Sequence, residues 1–429
     1  MSKILLKDII SYKKGNAFKS TDYQKDGVAI VRVSDFENDT VNLNNLYYVS
    51  KEVADKNKNV ILNKYDVVVT TVGASAGNFI RVPEMAEGYL LNQNAVRLRI
   101  NSDEKFEKIY LFYALKYKKF TQYLLAGAQG SAQPSIVLDQ ILNAEIPYPK
   151  KDRRKYISEV LFTLDKKIQL NTQINQTLEQ IAQTIFKSWF IDFDPVHAKA
   201  NALASGQTAE QATQVAMAVI SGKNTQELHR LQTANLEQYQ QLWEIAEAFP
   251  SGFDEEGVPR GWEERYLKDV CNIVYGKGLP KNKLTEKGFY VFGANGVIGF
   301  YDSYTYEKPQ VLIGCRGTVG QVTLSYPYSF VTNNSLVIEY ENSCVSMYYL
   351  EKYLSNINLK EISSGSVQPQ ITIQNMSKVK ILIPNIEILN FYSEKVKEIY
   401  DKRLHHFYEN QSLSKVRDLL LPKLLSGEV

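Results

Sequence analysis

The spacing of apolar positions changes character along the chain. Val28-Ala29-Ile30-Val31-Arg32-Val33 and Val67-Val68-Val69-Thr70-Thr71-Val72 are β-branched runs that end near turns, and they read as strands. Val311-Leu312-Ile313 before Gly314 is their counterpart in the second half. Tyr110 to Leu125 and Ser346 to Leu354 read as helices. Ile157, Leu161, Leu164, Ile168, Asn171, Asn175, Leu178, Ala182, Ile185 and Trp189 follow one another at alternating steps of four and three. Such steps make a heptad seam, which predicts a long helix packed on a partner helix.

The partner is supplied by an internal repeat. Gly130-Ser131-Ala132-Gln133-Pro134-Ser135-Ile136 recurs as Gly365-Ser366-Val367-Gln368-Pro369-Gln370-Ile371, 235 residues later. Ile146-Pro147-Tyr148-Pro149 aligns with Ile381-Leu382-Ile383-Pro384 at the same offset. Carried forward, the seam becomes Tyr392, Val396, Ile399, Arg403, His406, Asn410, Leu413, Arg417, Leu420 and Leu424. Asn175 and Asn410 share one seam position, where a buried Asn fixes register at a cost in stability. Upstream, Leu6-Lys7-Asp8-Ile9 matches Leu267-Lys268-Asp269-Val270 at an offset of 261, so the second copy is 26 residues shorter. Gln133 and Gln368 sit in the most strongly repeated segment; residues common to both copies shape the turn or touch a backbone rather than separate two specificities.

This pattern predicts an α+β chain: two mixed α/β units at 1–149 and 263–384, long helices at 150–190 and 385–429, and a helical connector at 191–262. The two helices are expected to pair antiparallel, about 35 residues and about 52 Å long, which gives the chain an internal pseudo-twofold. Ala198 to Phe249 is rich in Ala and Gln, the residues of an exposed helix, and Pro250-Ser251-Gly252 and Pro259-Arg260-Gly261 punctuate its end.

Composition alters the picture only locally. The 50 Lys and Arg against 47 Asp and Glu leave a net charge of +3, which announces no nucleic-acid partner. Yet residues 1–150 carry 20 basic against 16 acidic side chains, whereas 191–250 carry three against seven. Twenty-eight tyrosines suit surfaces that must be both apolar and hydrogen-bonding. Three cysteines, all in the second half, argue against a disulfide framework and for a reducing cytoplasm. The charged start, with Lys3, Lys7 and Asp8, is wrong for a signal peptide, and no long uncharged apolar run occurs.

Chemistry is conspicuous by its missing motifs. There is no P-loop, no HExxH, no GxSxG and no strict GxGxxG; no proline is followed by proline or Asp, so common amino-methyltransferase and nuclease openings are missing. No Cys/His cluster has zinc spacing. Gly293-x-x-Gly296-x-x-Gly299 and Gly314-x-x-Gly317-x-x-Gly320 read as tight turns between strands. The best polar cluster is Asp192, Asp194 and His197, which reads as a polar helix end.

Several segments resemble the specificity subunit of type I restriction-modification enzymes. They are Gly15-Asn16-Ala17-Phe18-Lys19-Ser20 with Asp22-Tyr23, Gly27 and Ile30-Val31-Arg32-Val33; the Gly-Ser-x-Gln-Pro turn leading to Leu164-Asp165; Phe186 to Val196; Pro259-x-Gly261-Trp262; and Leu419 to Gly427. The chain departs from that family at Lys150-Lys151-Asp152-Arg153-Arg154, where a Glu-Gln pair often opens the helix, and at Arg403, His405 and His406, where apolar residues are more usual.

The resemblance implies two target recognition domains, each reading one half of an asymmetric, split DNA target, with the helices setting the gap and docking modification subunits. It implies a chain without catalytic or metal sites of its own and without a bound cofactor. S-adenosylmethionine belongs to two modification subunits, and ATP-driven cleavage to restriction subunits. Base reading needs hydrogen-bonding groups in a groove and cations on phosphates. The candidates are Lys13, Lys14, Lys19, Arg32, Asn78 and Arg81 in the first unit, and Lys277, Lys281, Lys283, Asn295 and Arg316 in the second. Truncation at about residue 420 is expected to weaken assembly more than folding of either unit. The competing reading is a scaffold with two protein-binding modules on a coiled-coil stalk; it leaves unexplained why the globular halves diverge while the stalk stays in register.

Overall fold

The computed structural model describes residues 2–73, 75–127, 136–365 and 368–428. It forms two compact units, residues 1–171 with 408–429 and residues 172–407.

In the first unit, one antiparallel sheet has the strand order Ile10–Lys14, Ala95–Ile100, Val67–Thr70, Phe79–Arg81 among the described residues. A second sheet runs Leu90–Leu91, Val28–Val31, Tyr47–Val49, Tyr23–Gln24, its first two strands parallel. Val67, Val68 and Val69 are completely buried, as a continuous β-branched run requires when both faces are covered. The helix expected over 110–125 is two helices, Lys105–Lys116 and Lys118–Gly127, broken where Tyr117 turns extended (φ −60°, ψ 126°).

The second unit repeats the plan. Its strand order is Asn272–Tyr275, Ser335–Glu339, Val311–Gly314, Val322–Leu324, beside a sheet of Gly296–Tyr301, Phe289–Gly293 and Phe330–Val331. The registers coincide as well. Ile4 pairs with Ile146 and Arg265 with Ile381; Ser11 pairs with Arg99 and Asn272 with Glu339; Ile30 pairs with Leu90 and Val291 with Phe330. The offset between copies therefore falls from 261 at the first strands to 240 at Leu90 and 235 at Ile146. Much of the lost length lies after Val31, where the first unit inserts the hairpin Phe36–Glu37/Thr40–Val41 and the helix Lys51–Lys56. The second unit turns straight back through Gly296–Tyr301.

The long helices span Lys151–Phe190 and Ile386–Ser426, 40 and 41 residues, longer than the seam alone predicts. Within each unit their segments run antiparallel. In the first, Arg153 donates to the Leu424 carbonyl (3.1 Å), and Asn171 Nδ2 donates to Asn410 Oδ1 (2.8 Å). In the second, Asn175 meets His406 Nδ1 (2.9 Å), Glu179 pairs with Arg403, and Trp189 packs on Tyr392. Asn175 and Asn410 do sit on the seam, but each bonds to a different residue rather than to the other. Asn171–Asn410 and His406–Asn175 are copies of each other under the 235-residue offset, as two antiparallel duplicated helices require.

The end of the second long helix belongs to the first unit's core. Leu424 and Leu425, each 1% exposed, pack in the cluster that holds Leu6, Ile146, Ile157 and Leu161. This runs against the expectation that truncation near residue 420 weakens assembly more than folding of either unit, because the removed leucines are core residues of the first unit.

The connector also differs from an exposed helix. It folds as Asp194–Ala204, Ala209–Ser221, Thr225–Ala234 and Leu236–Ala248. Thr208/Gln211 and Asn224/Glu227 close capping boxes, and Gly222 ends a helix at φ 68°. Ala212, Ala216, Met217, Ile220, Leu228, Tyr239, Leu242 and Ala246 are buried, so the small residues make close helix contacts. Lys199 is buried too; its Nζ donates to the carbonyls of Ala246, Glu247 and Phe249 (3.2, 3.0 and 2.6 Å) and satisfies the open end of the last helix.

Candidate nucleic-acid interface

One end of the first-named sheet in each unit is tied together by the same backbone hydrogen bonds. In the first unit, Gly15 N donates to Ala95 O, Thr71 N to Asn94 O, Asn92 N to Val31 O and Ile136 N to Thr71 O, all within 2.9–3.0 Å. In the second, Gly276 N donates to Ser335 O, Cys315 N to Asn334 O, Thr332 N to Phe292 O and Ile371 N to Cys315 O, within 2.9–3.1 Å. The chains approach so closely that a Cβ on Gly15 would lie 1.9 Å from Asn92 O, and one on Gly276 would lie 2.3 Å from Thr332 O. Glycine is obligatory there because the obstacle is backbone.

This frame is nearly constant, but the side chains it presents are not. In the second unit it brings together Lys277, Asn295, Arg316, Asn333 and Asn334, all exposed. Their backbones interlock: Asn333 N donates to Lys277 O (3.1 Å), Arg316 N approaches Asn334 O (3.4 Å), and a Cβ on Gly314 would meet Ala294 O at 2.5 Å. Lys281 and Lys283 are exposed on the short turn Lys281–Lys283, outside this hydrogen-bonded cluster.

In the first unit the corresponding end presents Lys14, Gln93 and Asn94, all exposed. Lys13 is exposed on the same strand, opposite Arg97. Lys19 caps the turn Ser20–Asp22. Asn78 closes the turn after Thr70, its carbonyl accepting from Thr70 N (3.0 Å). The two candidate arginines of this unit are already engaged by neighbouring side chains. Arg32 pairs with Asp35 (2.7 Å) and lies 4.1 Å over the Tyr47 ring; the Asp35 hydrogen bond outweighs burial and holds the guanidinium above its ordinary pKa.

Arg81 pairs with Asp165 of the long helix (3.2 Å) between the rings of Phe112 and Phe162. Asp165, from the Leu-Asp pair, also accepts from Tyr113 Oη (2.5 Å) and Arg417 (2.9 Å). Burial alone would lower the Arg417 pKa, but Asp165 and Asp418 hold it above its ordinary value. Arg81 therefore fastens the sheet to the helices and is not on the exposed face. Asp165→Ala should cost about 2–4 kcal/mol, less than for a fully buried pair because Arg417 keeps 21% exposure. Urea unfolding of the assembled complex measures it. A loss below about 1 kcal/mol would make the cluster an ordinary surface network.

Gln93, Asn94, Asn333 and Asn334 were not among the sequence candidates. Their signal is the pair Asn92-Gln93-Asn94-Ala95-Val96 and Thr332-Asn333-Asn334-Ser335-Leu336, which aligns only at a third offset of 240. Gln368 is exposed, and its carbonyl lies 2.9 Å from where a Cβ on Gly365 would stand, which fits a turn-shaping part; Gln133 lies outside the described residues.

Of the polar cluster on the connector, Asp192 pairs with Lys187, and the His197 ring lies 4.4 Å from that of Phe253. Among the described residues no group of three or more His, Cys, Asp or Glu could hold a metal ion, and no helix is long and apolar enough to cross a membrane.

A family model described as type I restriction modification DNA specificity domain matches residues 1–180 and 259–416. The chain is 34% identical over 401 residues to the type I restriction enzyme HindI specificity subunit of Haemophilus influenzae, covering 86% of this chain and 87% of that protein. It is 24% identical over 343 residues to the MjaIX specificity subunit of Methanocaldococcus jannaschii, covering 75% and 68%. A crystal structure of a type I restriction-modification S subunit from M. genitalium superposes with a TM-score of 0.53 at 17% identity, over 99% of this chain and 95% of that one.

Proposed function

Because the chain belongs to the type I restriction-modification DNA specificity family, we propose that it is the non-catalytic subunit that reads the DNA target for a modification and restriction complex. Each mixed α/β unit reads a short run of base pairs with the strand-end cluster. One observation carries this reading: the same hydrogen-bonded frame occurs twice, with different exposed side chains on it. A frame that is kept while its side chains change is what two unequal half-sites demand.

The long helices act as the spacer. At 1.5 Å per residue each is about 60 Å long, which suits the part of setting the stretch of duplex left unread. Two modification subunits, which carry S-adenosylmethionine, dock on the helices and the acidic connector; restriction subunits join through them. Lys14, Lys277, Lys281 and Lys283 contact phosphates, and Gln93, Asn94, Asn295, Asn333 and Asn334 face base edges.

Retention of the assembled complex on a target duplex tests the reading. Affinity should fall about tenfold or more between about 50 and about 200 mM salt, as counterion release dictates, and should persist over non-target competitor. Binding that is indifferent to both salt and sequence would favour a protein scaffold instead.

A further inference from the structure

The two copies of the frame differ in charge at one turn in particular. Val67–Thr70 and Val311–Gly314 end in the same way: Thr71 and Cys315 make equivalent hydrogen bonds at N and O. Each is followed by one residue and then a glycine with positive φ, Gly73 at 99° and Gly317 at 78°. The residue between is Val72 in the first unit and Arg316 in the second. A second difference lies beside it. Asn16 follows Gly15 and is held by the side chains of Asn57 (2.6 Å) and Asn59 (3.4 Å), whereas Lys277 follows Gly276 and is exposed.

Arg316 is unlike the other arginines considered. Arg32 and Arg81 are tied to carboxylates, but among the described residues no side-chain hydrogen bond or ion pair holds the Arg316 guanidinium. Its backbone, by contrast, is fixed. Cys315 before it is completely buried, and Gly320 N donates to Gly314 O (2.8 Å) to close the turn. An unengaged guanidinium on a fixed backbone breaks no existing bond when it meets a planar acceptor pair, and its planar fork loses less freedom per hydrogen bond formed than a lysine ammonium would. In duplex DNA that pair is guanine O6 and N7, which no other base presents in the major groove.

We propose that Arg316 reads a guanine in the half-site bound by the second unit, and that the first unit reads no guanine at the corresponding position. There Val72, 40% exposed, offers a methyl surface that suits the thymine 5-methyl group. Lys277, next to Arg316 on the frame, holds the adjoining phosphate. This rests on the DNA-reading function above and names what one of its units selects.

The test is binding of the complete complex, with its modification subunits, to a set of duplexes. Each duplex replaces one base pair of the wild-type target, at fixed salt. Wild type should lose about 5- to 150-fold when one particular G·C pair is replaced. Arg316→Ala should lose that discrimination while discriminating normally elsewhere. Arg316→Gln should flatten the position or move its preference to A·T, since an amide matches adenine. Gln93→Ala should relax a position in the other half. Lys277→Ala should weaken all duplexes alike. The proposal is overturned if the half-site holds no guanine, if Arg316→Ala relaxes a different position, or if it weakens every duplex uniformly. Failure of the underlying reading looks different: the wild-type complex would show no sequence discrimination at all.

Discussion

Deleting residues 420–429 should unfold the first unit, not merely weaken assembly. Leu424 and Leu425 are each 1% exposed and lie among Leu6, Ile146, Ile157 and Leu161, with Leu420 and Leu421 packed beside them. Losing one buried leucine to alanine costs about 2–5 kcal/mol, and here two are removed whole. A domain has only about 5–15 kcal/mol to lose. The loss of the Arg153 bond to the Leu424 carbonyl adds to this. Limited proteolysis should cut within 1–149 in the truncated protein while 263–384 resists. Equal resistance of both segments would show that the last turns of the helix are dispensable to the core.

The second large effect is expected at two glycines. Gly15→Ala and Gly276→Ala each place a Cβ against a carbonyl oxygen, at 1.9 and 2.3 Å, where no side-chain rotation can relieve the overlap. The strand ends must separate, at a cost of about 3 kcal/mol or more. Each substitution should abolish reading of one half-site and leave the other intact. Gly278→Ala is the control, since nothing lies within 4 Å of its Cβ. It should leave binding within about twofold, since a surface change of this kind is worth only a few tenths of a kcal/mol. If Gly276→Ala binds as Gly278→Ala does, the frame is more pliable than its hydrogen bonds suggest.

How much of this was legible depends on whether the determining partner is near in sequence. The seam from Ile157 to Trp189 and its copy are periodic and local, and their positions are buried or half-buried throughout. The duplicated registers follow from the motifs at Leu6, Ile146, Leu267 and Ile381, because a strand pair fixes its neighbours. The fates of Arg32 and Arg81 divide on the same ground. Asp35 is three residues from Arg32, so that pair was open to inspection; Asp165 is 84 residues from Arg81, and nothing local announces it.

The connector departs from its sequence pattern for a different reason. Its Ala and Gln content describes a helix surface, but Thr208-x-x-Gln211 and Asn224-x-x-Glu227 are capping boxes that cut it into pieces able to pack on one another. Gln93, Asn94, Asn333 and Asn334 escaped because length was lost in steps, so that two offsets could not align the turn that carries them. The sequence candidates are basic or amide side chains near glycine turns. The frame instead selects for position, and it keeps Lys14, Lys277, Asn295 and Arg316 at the strand ends while carboxylates hold Arg32 and Arg81.

The claim on which all of this depends is that one chain reads two unlike sequences at a set separation. Long-read mapping of methylated bases, in a host that expresses the chain with its modification subunit, addresses it directly. The expected map is a single motif of two different specified blocks with an unspecified gap of constant length. A contiguous motif, two identical blocks or a gap that varies from site to site would contradict it.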